Sequence, residues 1–343
     1  MGVNLKELFE SKEIKVDDLR SKTLVVDGFN MLYQFLTTIR QPDGAAFTDS
    51  HGNVTSHLIG LHSRCANFMC KGIKLAFVFD GKPPKIKEAE RARRRGLKDE
   101  ALVKYEEAIK EKDVASMKKY GSRIVSLTPE IIKESQELLD ALGLPWVQAP
   151  SEGEAQAAYM VKKGHAWASV SQDYDSLLYG CPKLIQNLSA AGRRKKTAKL
   201  GTVIVQPTLI ELASNLKRLG LSNDQLIALA ILVGTDYNYG GVHGIGPKKA
   251  YRLVKLNGEH YPELFKDVDF QKHSEHTWKE IFDTFKDMPV TDDYKLKWDM
   301  TDGEKIRKLL IDRHDFSADR VEKTISDLNE ANESTKQKSL FDY

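Results

Sequence analysis

Cysteine is scarce in this chain: Cys65, Cys70 and Cys181 are the only three in 343 residues. Their spacing fits no zinc-ligand pattern and an odd number cannot all pair. That argues against a disulfide scaffold and for a reducing, intracellular setting. Long apolar runs are also missing, so no stretch reads as a membrane span. The opening residues, Met1 to Glu7, lack the apolar core of a secretion signal. Charge is almost balanced, at +3 from 52 basic and 49 acidic residues. With 41% hydrophobic and 29% charged residues, the chain reads as a soluble globular protein able to bury a large core.

What is present is a concentration of acids at particular places. Pro150-Ser151-Glu152-Gly153-Glu154-Ala155 and Ser171-Gln172-Asp173-Tyr174-Asp175-Ser176 each carry two carboxylates one residue apart. A helical pattern and a short apolar run, Ala166 to Val170, separate them. Two such pairs brought together repel strongly unless cations lie between them. Thr23-Leu24-Val25-Val26 and Leu75-Ala76-Phe77-Val78-Phe79 are further apolar runs, ending on Asp27-Gly28 and Asp80-Gly81. Continuous apolar strands separated by helices predict an α/β fold with a mainly parallel sheet covered on both faces. The ligand crevice of such a sheet lies at the strands' carboxyl ends, where Asp27, Asp80, Asp173 and Asp175 would meet. One Asp after a strand is commonly a turn residue or helix cap. Four in the same topological place favour a divalent-metal site, joined by Glu152, Glu154 and Asp236. Ser151 and Glu154 also fit a capping box.

Of the 49 acidic residues, setting these seven aside leaves 42 against 52 basic ones, a surplus of +10 that suits a polyanion such as nucleic acid. From Lys85 to about Lys119 the composition turns to Lys, Arg and Glu. Lys87, Arg91 and Arg94 would share one helical face, so the segment reads as an arch or lid, or as a salt-bridged exposed helix. Thr128-Pro129 starts a helix that runs to Leu142-Gly143. Arg193-Arg194-Lys195-Lys196 reads as a solvent-facing loop. After the apolar helix from Leu226 to Val233, Gly244-Ile245-Gly246-Pro247-Lys248-Lys249 opens another. Glycine amides and a helix N-terminus there suit a DNA backbone.

In order along the chain, Val26-Asp27-Gly28, Phe79-Asp80-Gly81-Lys82-Pro83-Pro84, Ala149 to Ala155, Asp173-x-Asp175, Gly234-Thr235-Asp236-Tyr237 and Gly244-Ile245-Gly246-Pro247-Lys248 resemble the motifs of the flap structure-specific endonucleases of the Rad2/XPG family, the archaeal members above all. The resemblance implies a PIN-like core flanked by helices, a helical arch and a helix–two-turn–helix for duplex DNA. It implies 5′-flap endonuclease and 5′–3′ exonuclease activity on DNA replication (Okazaki fragment) and repair intermediates. Two Mg²⁺ ions, on the order of 4 Å apart, would activate water and stabilise the leaving oxygen, with Mn²⁺ a substitute. By the family pattern Asp27, Asp80, Glu152 and Glu154 serve one ion and Asp173, Asp175 and Asp236 the other. Lys87 and Arg94 would act on the scissile phosphate, and Arg40 and Arg64 contact DNA. Tyr33 would stack on a base, unless it packs in the core. The resemblance also implies that Glu152, Gly234, Asp236, Gly244, Gly246 and Lys248 would lie at the DNA, with K⁺ at the hairpin. Gly153 stands where many relatives carry Ala.

Five regions are expected: a nuclease region at 1–98, an arch or connector at 99–127, an internal nuclease region with the hairpin at 128–258, a helical region at 259–328 and a tail at 329–343. The stretch from Asn329 to Lys336 reads as a flexible linker. Gln337, Leu340, Phe341 and Tyr343 at its end resemble a sliding-clamp-binding box, departing from the family in ending on Tyr343. A monomer is expected. An RNA-directed nuclease and a non-catalytic junction-binding scaffold are the other classes the chain could serve.

Overall fold

The computed structural model describes residues 3–190, 192–195 and 202–341, the side chains of 192–195, 202–204 and 334–341 excepted. The strands are β1 (Lys12–Glu13), β2 (Thr23–Asp27), β3 (Lys74–Phe79), β4 (Trp146–Gln148), β5 (Ala168–Val170), β6 (Lys183–Gln186), β7 (Gly192–Lys195), β8 (Thr202–Val205) and β9 (Thr208–Glu211). The earlier helices are α1 (Gly28–Thr38), α2 (Ser56–Cys70), α3 (Glu88–Glu111), α4 (Val114–Gly121), α5 (Pro129–Leu142), α6 (Gly153–Lys162) and α7 (Asp175–Leu178). The later ones are α8 (Leu212–Leu219), α9 (Asn223–Val233), α10 (Pro247–Asn257), α11 (Tyr261–Asp267), α12 (Trp278–Lys286), α13 (Gly303–Arg307) and α14 (Ala318–Phe341).

Seven strands form one sheet in the order β1-β9-β6-β5-β2-β3-β4, while β7 and β8 make a separate antiparallel ribbon. The inner pairs β6–β5, β5–β2, β2–β3 and β3–β4 are parallel, and the edge pairs through β9 are antiparallel. The chain winds outward from β2 to β3 and β4, then returns to build β5 and β6 on the other side. Between β2 and β5 lies the point where the winding reverses, and crevices in open α/β sheets form there.

Alternation along the inner strands sorts the core into two layers. Val25, Ala76 and Val78 face the layer that includes α6, α7, α9 and α10. Leu24, Val26, Leu75, Phe77 and Phe79 face the layer of α1, α2, α5 and α14. Because both faces are covered, the runs are apolar without a break. Helix α5 forms as its ends prescribe: the Thr128 hydroxyl accepts the Ile131 amide, Pro129 opens the first turn, and Gly143 caps it at φ +74°.

Several expectations are corrected. The residues of the 193–196 basic run that are described, Arg193 to Lys195, lie on β7 rather than in a loop; Lys196 is outside the described residues. Residues 329–336 continue α14, because Val321, Ile325 and Leu328 give that helix a buried stripe and the polar stretch extends it. Leu340 and Phe341 fall on its end, their side chains and Tyr343 lying outside what is described. The expected charged excursion is a helical hairpin, α3 and α4, joined at Lys112 and Asp113. Among the described residues, no helix is long and apolar enough to cross a membrane.

Candidate active site

The seven acids reach the site on five separate segments of the chain. Asp27 closes β2 and caps α1, its Oδ1 accepting the Asn30 amide at 3.0 Å. Cap and site roles therefore coincide. Asp80 follows β3, and its Oδ1 accepts the Gly153 amide at 2.7 Å, which ties β3 to the start of α6. A Cβ at position 153 would stand 2.6 Å from that oxygen, so a larger residue would make the Asp80 carboxylate shift. Glu152 sits at the cap position of α6 without making a cap bond. The expected Ser151–Glu154 capping box does not form. Ser151 Oγ donates instead to the Lys82 carbonyl at 2.9 Å, and Glu154 Oε1 accepts from Ser171 Oγ at 3.3 Å.

Two short polar residues that the sequence reading passed over organise the centre. Ser171 Oγ reaches both Asp27 Oδ2 and Glu154 Oε1 at 3.3 Å. The Asn30 amide group donates to Asp173 Oδ2 at 3.0 Å and accepts the Gln172 amide at 3.1 Å. Asp175 Oδ1 accepts the Val3 amide at 2.7 Å, fastening the start of the chain to the site. The only sequence signal for Asn30 was its position one turn beyond Asp27.

Electrostatics confirm the crowding. Burial and then the charges of Asp80 and Asp173 push the Asp27 carboxyl up to about 8. Burial and Glu152 raise Asp80 to about 6, and burial with Asp236 and Asp173 raises Asp175 to about 7. Glu154 is driven well up by burial and by Asp175, Asp27 and Asp173. Each of the seven predicted acids thus lies close enough to at least one other to act on it or be acted on by it.

Cations from the arch answer this field. Lys87, just before α3, places Nζ 2.6 Å from Glu152 Oε2 and 3.2 Å from Asp236 Oδ2. Arg94 Nη2 lies 2.5 Å from Asp236 Oδ1. Burial alone would lower the Lys87 ammonium, yet Glu152 and Asp236 hold it well above its ordinary value. Burial would likewise raise Asp236, but Lys87 and Arg94 pull it down. Arg91, predicted on the same face, is exposed. Among the described residues, no three His, Cys, Asp or Glu side chains converge closely enough to clasp an ion by themselves. As a donor set, seven crowded carboxylates suit a hard divalent cation that keeps several waters and takes one or two direct carboxylates.

The remaining predicted residues divide. Tyr33 is 39% exposed on α1 with Lys98 Nζ 6.0 Å from its ring centre, so it is not a core residue. Arg40 spends Nε on the Leu36 carbonyl at 3.0 Å and Nη1 on the Gly44 carbonyl at 2.9 Å, which makes it a brace of its own turn. Arg64 is half-buried on α2. Gly234 ends α9 at φ +111°, and a Cβ there would stand 2.7 Å from the Gly241 amide nitrogen. The turn before α10 leaves Gly244, Gly246 and Lys248 exposed, with Lys248 Nζ 3.8 Å from Glu7.

Comparison with known proteins agrees with this geometry. Residues 1–101 match the XPG N-terminal domain and residues 143–236 the XPG I-region. Flap endonuclease 1 of Staphylothermus marinus is 49% identical, with 99% of this chain and 98% of that protein covered. Flap endonuclease 1 of Aeropyrum pernix is 47% identical, with 96% and 95% covered. The solved flap endonuclease-1 of Methanococcus jannaschii superposes with a TM-score of 0.76 at 41% identity, covering 97% of this chain and all of that one. The catalytic core of Rad2, solved with a DNA substrate, shares the fold at 23% identity and a TM-score of 0.66 over 93% of this chain and 96% of that one. With its acids at the reversal of a PIN-like sheet and full-length relatives at this identity, the chain belongs to the XPG family, among the archaeal flap endonuclease 1 proteins.

Proposed function

We propose that this protein is a structure-specific 5′-flap endonuclease and 5′–3′ exonuclease that hydrolyses DNA phosphodiester bonds during replication and repair. The observation that carries the reading is the meeting of seven acids with Lys87 and Arg94 at one sheet edge. Asp27, Asp80, Glu152, Glu154, Asp173, Asp175 and Asp236 would hold two Mg²⁺ ions, with Mn²⁺ as a substitute. When bound, those cations act as Lewis acids on the phosphate and lower the pKa of water.

The protein's own groups do the rest. Ser171 and Asn30 fix the orientation of the carboxylates through hydrogen bonds that cross the site. Lys87 and Arg94 already lie where negative charge is concentrated, so a phosphate entering the site exchanges one anionic partner for another. No side-chain nucleophile is required. Exposed Tyr33 offers a stacking face, and Arg64 would contact DNA. The exposed amides at Gly244 and Gly246, the N-terminus of α10 and Lys248 would hold duplex backbone, assisted by K⁺. Gln337, Leu340, Phe341 and Tyr343 would dock on a sliding clamp, the enzyme itself being a monomer.

The test is cleavage of labelled 5′-flap, nicked-duplex, single-stranded and flap-RNA substrates, with Mg²⁺ and with chelator. Cutting of the DNA flap in Mg²⁺ and none in chelator is expected. Cutting that survives chelation, or that prefers the RNA, would overturn the assignment.

A further inference from the structure

Two consecutive arginines of α3 are divided between two partners on the loop that follows α9. Arg94 reaches Asp236 in the acidic centre. Arg93 lies over the Tyr239 ring, its guanidinium carbon 3.5 Å from the ring centre. Glu90, one turn earlier and only 6% exposed, holds both. It accepts Arg93 Nε at 2.6 Å and Nη2 at 2.8 Å, and Arg94 Nε at 2.7 Å. The loop is itself locked. Asn238 Oδ1 accepts the Thr235 hydroxyl at 2.7 Å and its amide at 3.2 Å, while Asn238 Nδ2 donates to the Ile231 carbonyl at 2.7 Å.

We propose that Tyr239, through Arg93 and Glu90, is a positioning residue for Arg94, an inference that rests on the role given to Arg94 above. With Nε bound to Glu90, the Arg94 guanidinium keeps its terminal nitrogens for the centre and can rotate only about a fixed point. Glu90 is fixed in turn by the fork of Arg93, and Arg93 by the face of Tyr239. Without that face, Arg93 is free to swing into solvent and draw Glu90 with it, and Arg94 loses its pivot. Tyr239 is 60% exposed and carries no core packing, so its stacked cation is what its ring contributes here.

The experiment is single-turnover cleavage of a 5′-flap duplex in saturating Mg²⁺, with flap affinity and thermal midpoint measured on the same samples. The variants are Tyr239→Ala, Tyr239→Phe, Glu90→Gln, Arg94→Ala and the Tyr239→Ala/Arg94→Ala pair. An exposed cation–π contact corresponds to about a two- to fivefold loss of rate for Tyr239→Ala, with Kd and midpoint unchanged. Tyr239→Phe, which keeps the ring face, restores most of that rate. Glu90→Gln loses a charged bond to each arginine and falls by about tenfold or more. In the Arg94→Ala background, Tyr239→Ala has no further effect, because there is no longer a guanidinium to position. A multiplied loss in the double variant, or a rise in Kd with Tyr239→Ala, would mean that the ring meets DNA by itself, and would overturn the proposal. Arg94→Ala cutting at the wild-type rate would instead overturn the role assigned to Arg94.

Discussion

Replacing Asp175 by Asn should stabilise the cation-free protein while destroying its activity. Asn keeps the oxygen that accepts the Val3 amide at 2.7 Å, so the change removes charge and little else. Burial and the charges of Asp236 and Asp173 raise this carboxyl from 3.8 to about 7. A carboxyl raised on folding makes the folded state bind more protons than the unfolded one between those values. Stability therefore falls as pH rises from about 4 to about 7 and is level above that. Three units at 1.36 kcal/mol each set a ceiling of about 4 kcal/mol at pH 8, and relaxation of the neighbouring acids brings it to about 2–4 kcal/mol. For a chain of this size that is a rise in midpoint of about 3–6 °C. The assay is thermal unfolding in chelator at pH 4 and pH 8, repeated with Mg²⁺, beside single-turnover cleavage. The variant's advantage should appear at pH 8, shrink at pH 4 and narrow in Mg²⁺, while DNA affinity holds and cutting is abolished. A midpoint at pH 8 equal to or below that of the parent would refute the argument that these acids strain one another.

Lys87→Ala and Arg94→Ala should each lower single-turnover cleavage by roughly 10²–10³ while changing flap affinity far less; equal losses in rate and Kd would reduce them to substrate holders. His62 is buried, which lowers its imidazole from 6.5 to about 4. Stability should be lost as pH falls through that window, by about 3 kcal/mol at most, and denaturant unfolding of His62→Gln should show a weaker pH dependence. Deleting residues 337–343 should leave basal flap cutting unchanged and remove stimulation by a sliding clamp from the same source; equal stimulation of both proteins would place the clamp contact elsewhere.

What the sequence revealed was whatever is written locally. Thr23 to Asp27 and Leu75 to Asp80 announce buried strands ending in acids because inner parallel strands admit no polar alternation. Thr128, Pro129 and Gly143 announce a helix for similarly local reasons. Asn30 and Ser171 were illegible because their partners, Asp173 and Asp27, lie 143 and 144 residues away. No local pattern distinguishes such a bond from an ordinary turn residue. Ser151 and Glu154 erred in the other direction, as a good capping pattern was overridden by Lys82 and Ser171. The polar stretch after residue 328 misled because its support is a stripe that begins at Val321, outside the window that looked like a linker.

The acids are contributed by segments far apart in the chain, at residues 27, 80, 152 to 154, 173 to 175 and 236. During synthesis, at about 5–20 residues per second, roughly 8–30 s separate the emergence of Asp80 from that of Asp236. Through that interval the growing chain lacks the last acid of its centre. A polypeptide stopped short of residue 236 lacks both the last acid and the Gly244–Lys248 turn, and should not cut. Expressed as two pieces divided in the α3–α4 hairpin, the protein should therefore be harmless in either half. Cutting would return only when the halves meet, and the point of meeting could be chosen by whatever brings them together.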